Sequence, residues 1–117
     1  MRIIVAPDSF KENLSAKQVA EAIAKGIIPI IPEAEVIRIP IADGGEGTVD
    51  ALVSATNGHI VSVPSVDALN RQTKSFYGVL GDGETAVIEM AAASGIEKLT
   101  TEERNPMLTS TFGTGIL

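Results

Sequence analysis

The chain has 117 residues, with 15 acidic and 9 basic side chains, a formal net charge of −6, no cysteine and no tryptophan. The missing cysteines exclude a disulfide scaffold, a zinc ribbon and a thiol enzyme, and an acidic chain with few aromatic residues argues against a nucleic-acid partner. No segment has the apolar length of a signal peptide or a membrane span, so we expect a soluble cytoplasmic protein with no membrane partner.

The first predicted unit is a strand, a loop and a helix. Residues 2–7 are mostly apolar and β-branched and end at a proline, which is typical of a buried strand. Ser15 and Gln18 have the spacing of a capping box, and apolar residues then recur at helical spacing as far as Ile27. The pattern predicts a helix that begins after Ser15 and ends near Gly26.

A second unit of the same kind follows. Residues 35–41 predict a strand, residues 42–48 a loop, and an apolar stripe over residues 49–56 a helix that Asn57 and Gly58 end with a left-handed cap. Two successive strand–helix units imply a right-handed crossover and a parallel sheet with helices against it. The predicted fold class is therefore α/β with a βαβα start.

The pattern changes after residue 60. Residues 60–66 are a candidate third strand, and residues 73–80 and 85–90 flank a Gly-Asp-Gly-Glu turn, which predicts an antiparallel hairpin. A second domain is predicted to begin near residue 62, giving domains 1–61 and 62–117. Beyond residue 91 the sequence supports only a short helix around residues 101–104.

The loop between the second strand and the second helix is rich in glycine and carboxylates. Its glycines precede a helix N-terminus, where backbone N–H groups can hold an anion, yet Asp43 and Glu46 would repel one. A hydroxylated acid resolves this conflict, because the glycines can take its carboxylate while Asp43 accepts the hydroxyl proton. The alternative is structural: the glycines form a tight turn and Asp43 or Glu46 caps the helix.

The first loop and residue 89 supply further candidates. Lys11 is either a phosphate clamp or a solvated lysine, Phe10 is expected to pack in the core, and Asp8 can serve as a helix cap. Glu89 lies in an otherwise apolar predicted strand, so its carboxylate must be paired, protonated or turned to a cleft. His59 is predicted to be a surface residue.

Four segments in order resemble the bacterial glycerate kinase family: residues 6–16, 40–48, 86–95 and 105–115. The resemblance implies ATP- and Mg²⁺-dependent transfer of the γ-phosphoryl group to a hydroxyl of glycerate. It also implies a Rossmann-like domain that begins at residue 1, with a second α/β domain inserted into it and the active site between them.

The family's motif positions give the candidate site. Carried over as substrate-binding residues are Asp8, Ser9 and Phe10; Gly44, Gly45, Glu46, Gly47 and Thr48; Glu89 and Ser94; and Thr111, Gly113 and Gly115. Asp43, as base or hydroxyl orienter, and Lys11, as phosphate clamp, are the predicted catalytic residues. No resident metal ligand is assigned, because the Mg²⁺ is expected to arrive with the nucleotide.

Two further expectations concern the chain as a whole. Its turn-rich, apolar ending and the greater length of family chains suggest the N-terminal part of a longer protein, which we expect to be inactive alone. The rival interpretation is a noncatalytic module that binds an anion or a nucleotide. The sequence is compatible with a homo-oligomer and does not indicate which hydroxyl of glycerate reacts.

Overall fold

The computed structural model describes residues 1–117, which divide into two compact units, Met1–Asp43 and Gly44–Leu117. Both units combine helices with a small sheet, so the predicted α/β class is confirmed. None of the helices has both the length and the apolar surface needed to cross a membrane.

The first unit is a strand–helix–strand crossover. Strand β1 (Arg2–Val5) pairs in parallel with β2 (Glu35–Arg38), and helix α1 (Ala16–Ile27) connects them. The predicted capping box is confirmed: Gln18 N donates to Ser15 Oγ, and Ser15 N donates to the Gln18 side chain. The helix buries one apolar stripe, formed by Val19, Ala20 and Ala24.

The second unit begins with helix α2 (Thr48–Thr56), which ends at Asn57 in the predicted left-handed conformation with φ 56°. Strands β3 (His59–Val66), β4 (Gln72–Val79) and β5 (Ala86–Val87) then form an antiparallel sheet in that order. A short helix α3 (Ala91–Ser94) follows, with single 3-10 turns at Ile96–Lys98, Thr101–Glu103 and Thr114–Ile116.

Strands β3 and β4 are joined by a turn that a buried aspartate organises. Asp67 Oδ1 accepts hydrogen bonds from the N–H groups of Leu69 and Arg71, and Oδ2 accepts one from Arg71 Nε at 2.6 Å. Burial by itself would raise the pKa of Asp67, but the hydrogen bonds from Arg71 and Leu69 outweigh it and lower that pKa. Arg71 also pairs with Glu103 at 2.6 Å, which ties the Thr101–Glu103 turn to the hairpin.

Three predicted strands are shorter than expected, and each has a physical reason. Strand β1 ends at Val5 rather than at residue 7, because Pro7 has no backbone N–H to donate to β2. Strand β2 ends at Arg38 rather than at residue 41, because Pro7 offers no N–H to the ladder, although Ile39 N and Ile41 N still donate to the carbonyls of Val5 and Pro7. Strand β5 ends at Val87 rather than at residue 90, because the chain turns into α3 with Ser94 N bonded to the carbonyl of Met90. Glu89 therefore does not lie in a strand, contrary to the sequence prediction.

The later predictions had mixed outcomes. The hairpin around residues 81–84 is confirmed, His59 is exposed as expected, and the short helix near residue 101 is a 3-10 turn. The compact units meet at residues 43 and 44, so α2 belongs with the antiparallel sheet. The domain boundary at 61/62 refers to the two-domain architecture of longer family chains and stays a prediction.

Helix α2 packs on β4 where Gly78 leaves room for it. A Cβ atom at Gly78 would lie 2.5 Å from Val53 Cγ2 and 2.9 Å from Val49 Cγ1, and both valines are buried. Such distances are too short for carbon–carbon contact, so any side chain at residue 78 must push the helix away from the sheet.

We expect Gly78→Ala to lower the free energy of unfolding by about 1–3 kcal/mol, because the added methyl group overpacks this contact. Gly26→Ala is the matched control, since a Cβ there meets nothing within 4 Å; it should stabilise α1 by about 0.5–1 kcal/mol. Urea unfolding measures both. A Gly78→Ala protein as stable as the wild type would show that α2 does not pack this closely.

Candidate active site

The parallel pairing in the first unit brings two predicted loops to one edge of its sheet. Beyond the strands, Ile39 N donates to the carbonyl of Val5 at 2.8 Å and Ile41 N to the carbonyl of Pro7 at 3.1 Å. Asp8 follows Pro7, and Asp43 lies two residues after Ile41. The segments that follow β1 and β2 therefore begin next to each other at the carboxyl ends of the strands. Open parallel sheets bind their ligands at this edge.

The loop after β1 is a compact turn with an exposed tip. Ser9 N donates to Asp8 Oδ1 at 2.6 Å, and Phe10 N donates to the carbonyl of Leu14 at 2.8 Å. Phe10 is 61% exposed, so the prediction that it packs in the core is wrong. Lys11 is also exposed, at the tip of this turn. Exposed Phe10 and Lys11 thus follow Asp8 in the turn at this edge of the sheet.

The glycine-rich loop of the second unit has an unusual backbone path. Gly44 has φ 99° and Gly47 has φ 87°, a region that side chains other than glycine rarely occupy. Thr48 Oγ1 donates to the carbonyl of Gly45 at 2.8 Å, which closes the last turn before α2. Gly47 is the N-cap residue and has no side chain with which to cap the helix.

Glu89 supplies the missing cap from a distant part of the chain. Its Oε2 accepts a hydrogen bond from Val49 N at 2.9 Å, its Oε1 accepts one from Gly47 N at 3.4 Å, and the residue is only 4% exposed. Burial raises the pKa of Glu89, and the hydrogen bonds from Val49 and Gly47 offset part of that rise. A carboxylate at this position also faces the positive end of the helix.

The predicted anion cradle therefore already holds an anion, and that anion is part of the protein. The N–H groups of Gly47 and Val49 donate to Glu89, so a substrate carboxylate at these two groups would have to displace it. Sequence reasoning identified Glu89 as a carboxylate in need of a partner but not which partner. One sequence feature indicates the partner: α2 begins after a glycine, and a helix start without a capping side chain needs a hydrogen-bond acceptor from elsewhere in the chain.

Residues 86–95 and 105–115, the last two segments that resemble the family, both contribute to an open depression of ≈430 Å³. It is lined by Ala68, Ser94, Thr109, Ser110 and Thr111. Ser94 Oγ lies 3.1 Å from Thr114 Oγ1, and the carbonyl of Thr111 accepts from the N–H groups of Thr114 and Gly115. Gly113 is buried, and its carbonyl accepts from Ser65 Oγ at 2.8 Å. Ser94 and Thr111 thus share a hydroxyl-lined surface, whereas Gly113 has a structural contact.

The structure contains no group of three or more His, Asp or Glu side chains that could hold a metal ion. Two of the buried carboxylates have separate partners, Glu89 at the start of α2 and Asp67 in the β3–β4 turn.

The fold and these loops define an α/β protein whose polar and glycine-rich segments follow its strands. The chain matches the model of the glycerate kinase family over residues 3–117. It is 53% identical to a glycerate kinase of Bacillus subtilis (strain 168) and 49% identical to a glycerate 2-kinase of Escherichia coli (strain K12), each over 117 residues and 100% of this chain.

A crystal structure from Salmonella typhimurium LT2 assigned to glycerate kinase 2 superposes with a TM-score of 0.73 and 50% sequence identity, covering 99% of this chain. The chain belongs to the glycerate kinase family, and the predicted family resemblance is confirmed. It spans 31% of the length of these relatives and of that crystal structure.

The raised pKa of Glu89 predicts how its contribution to stability changes with pH. The folded state binds a proton at Glu89 more tightly than the unfolded chain, whose reference pKa is 4.5. The stabilising contribution is therefore fully present below that value and is lost as pH rises through the raised pKa of the folded state. Relative to Glu89→Gln, which cannot titrate, the wild type should lose stability as pH rises from 4.5 through the raised pKa of the folded state.

Urea unfolding of the two proteins across this range measures the difference, because all other titrating groups are common to both. Glu84→Gln, at an exposed glutamate, is the control for replacing a glutamate by a glutamine elsewhere in the chain. A wild type that gains stability relative to Glu89→Gln as pH rises would contradict the raised pKa.

Proposed function

We propose that this chain forms part of an enzyme that transfers the γ-phosphoryl group of MgATP to a hydroxyl of glycerate, releasing ADP and phosphoglycerate in the cytoplasm. Membership of the glycerate kinase family supports the reaction. The observation that carries the assignment to particular residues is the pairing of Ile41 N with the carbonyl of Pro7, because it brings the segments that lead to Asp8 and Asp43 to one sheet edge.

In the proposed reaction Asp43 acts on the acceptor. Its carboxylate takes the proton of the glycerate hydroxyl while the hydroxyl oxygen forms a bond to the γ-phosphorus. The bond between that phosphorus and the oxygen bridging to the β-phosphate breaks, and ADP leaves with the electron pair. The exposed position of Asp43 after β2 leaves it accessible to a substrate.

Lys11 is proposed to neutralise the transferred phosphoryl group. Its side chain is exposed in the turn after β1, and a lysine ammonium is a mobile point charge suited to a phosphate that changes position during transfer. The overall charge of −6 does not oppose this role, because a local field depends on the groups near the site. Mg²⁺ would enter as part of the nucleotide substrate.

The second unit offers polar groups of its own for a small ligand. Ser94, Thr109, Ser110 and Thr111 offer hydroxyl groups around one open depression, and they suit a small hydroxylated acid better than an apolar ligand. The backbone of Gly44 and Gly45 is the part of the glycine-rich loop that stays proposed for substrate, since Gly47 and Val49 donate to Glu89.

We expect Asp43→Asn to lower kcat for D-glycerate by at least about 100-fold, because the amide cannot accept the hydroxyl proton. The KM for glycerate should change by no more than about threefold, since the amide still forms hydrogen bonds. A coupled ADP-release assay on the protein at the length of its relatives measures both constants. Glu33→Gln, at an exposed glutamate between α1 and β2, is the control; near-normal kcat for Asp43→Asn would remove Asp43 from the chemistry.

We expect Lys11→Ala to raise the KM for ATP by about tenfold or more, because a charge-assisted contact to phosphate is lost. Lys17→Ala, at an exposed lysine of α1, should leave the constants unchanged. The same assay with varied ATP measures this effect. If the steady-state constants for both substrates stay at wild-type values, Lys11 is a solvated surface lysine. The 117-residue chain assayed alone is expected to show no turnover.

A further inference from the structure

We propose that Glu89 is a positioning residue: its buried carboxylate fixes the glycine-rich loop that follows Asp43, and it does not itself bind substrate. The inference rests on the proposed role of Asp43. It also changes the predicted role of Glu89, which the family motif placed among the substrate-binding residues.

The contacts of Glu89 are already made within the protein. One carboxylate oxygen accepts from Val49 N and the other from Gly47 N, and the residue is 4% exposed. Two of the roughly four acceptor positions of the carboxylate are used by these backbone donors, and burial of the residue closes the remaining positions to a ligand. Its energetic role is to satisfy two donors at the start of α2 that would otherwise be left without a side-chain acceptor.

The loop needs such an anchor because its own sequence makes it flexible. Gly44, Gly45 and Gly47 restrict the backbone less than other residues, and two of the three adopt positive φ. Thr48 restrains this loop, because its Oγ1 donates a hydrogen bond to the carbonyl of Gly45. Glu89 restrains the loop further by accepting hydrogen bonds from Gly47 N and Val49 N. These residues precede it by 42 and 40 positions in the sequence.

The segment that Glu89 holds lies next to the proposed catalytic residue in the sequence. Asp43 is bonded covalently to Gly44, at the start of the segment that Thr48 and Glu89 hold. Loss of the anchor leaves Asp43 chemically intact but removes the fixed attachment of the segment that continues from it. Displacements of about 1 Å in a catalytic group can lower the rate about 100-fold without abolishing substrate binding.

The first test is steady-state kinetics of Glu89→Gln in the protein at the length of its relatives, with D-glycerate and MgATP. The glutamine keeps the side-chain volume but replaces one accepting oxygen with an NH₂ group that cannot accept from Val49 or Gly47. We expect kcat to fall about tenfold or more, with both KM values within about twofold of wild type. Glu84→Gln should leave all three constants unchanged.

Two outcomes would overturn the proposal. A glycerate KM raised about tenfold at unchanged kcat would mean that Glu89 binds the substrate. Wild-type values of every constant, at a temperature where the variant is folded, would mean that the capping contact serves stability alone. If Glu89→Gln does not fold, Glu89→Asp takes its place: it keeps the charge but is one methylene shorter, and the same fall in kcat is expected.

The second test does not depend on activity. Hydrogen exchange of the peptide covering residues 44–50 should be faster in Glu89→Gln than in wild type, while exchange of residues 16–27 should be unchanged. Unchanged exchange in residues 44–50 would reject the anchor even in an active glycerate kinase. A wild-type protein that does not phosphorylate glycerate would reject the proposed function, and the exchange result would still decide whether Glu89 holds the loop.

Discussion

The contact between the Glu89 carboxylate and the first N–H groups of α2 is the constraint on which the second unit depends most. Burying a carboxylate is unfavourable, and the raised pKa of Glu89 reflects that cost. The cost is offset because the same carboxylate satisfies donors of a helix whose N-cap is glycine. Helix α2 in turn packs on β4 through Val49 and Val53, so the position of its first turn bears on the whole helix–sheet contact.

The two units place functional candidates by different means. In the first unit, parallel pairing of two four-residue strands is enough to bring the loops of Asp8 and Asp43 to one edge. In the second unit, an antiparallel sheet supports short segments that carry Glu89, Ser94 and Thr111. Hydroxyl-bearing residues and glycines dominate residues 109–115, and side-chain contacts rather than long regular elements hold the segments in place.

The sequence predicted best those features that depend on neighbouring residues. The capping box at Ser15 and the left-handed Asn57 both act within one helical turn, and both are confirmed. The partner of Glu89 could not be identified in this way, because the donors lie 40 and 42 residues earlier and their proximity requires the folded sheet. The exposure of Phe10 was missed because a general tendency of aromatic residues to be buried says nothing about one particular loop.

Pairing of β3 with β4 was also absent from the prediction, since the turn between them contains no glycine. In its place Asp67 accepts from two backbone N–H groups, and Asn70 adopts φ 61°, a conformation that asparagine tolerates. The roles of Asp43 and Lys11 belong to a different category. They follow from side-chain chemistry and family membership, and kinetics rather than geometry will decide them.

The contacts of Arg71 restrict which amino acids can occupy position 71. Its Nε, Nη1 and Nη2 atoms bond Asp67, Glu103 and the carbonyl of Lys98 respectively, and hydrogen bonding to Asp67 and then Glu103 raises the pKa of Arg71. Three acceptors in different directions require a planar guanidinium fork, which a lysine ammonium cannot reproduce. Residue 71 is thus specified by the shape of its side chain, and an exchange of one cation for another there is not conservative.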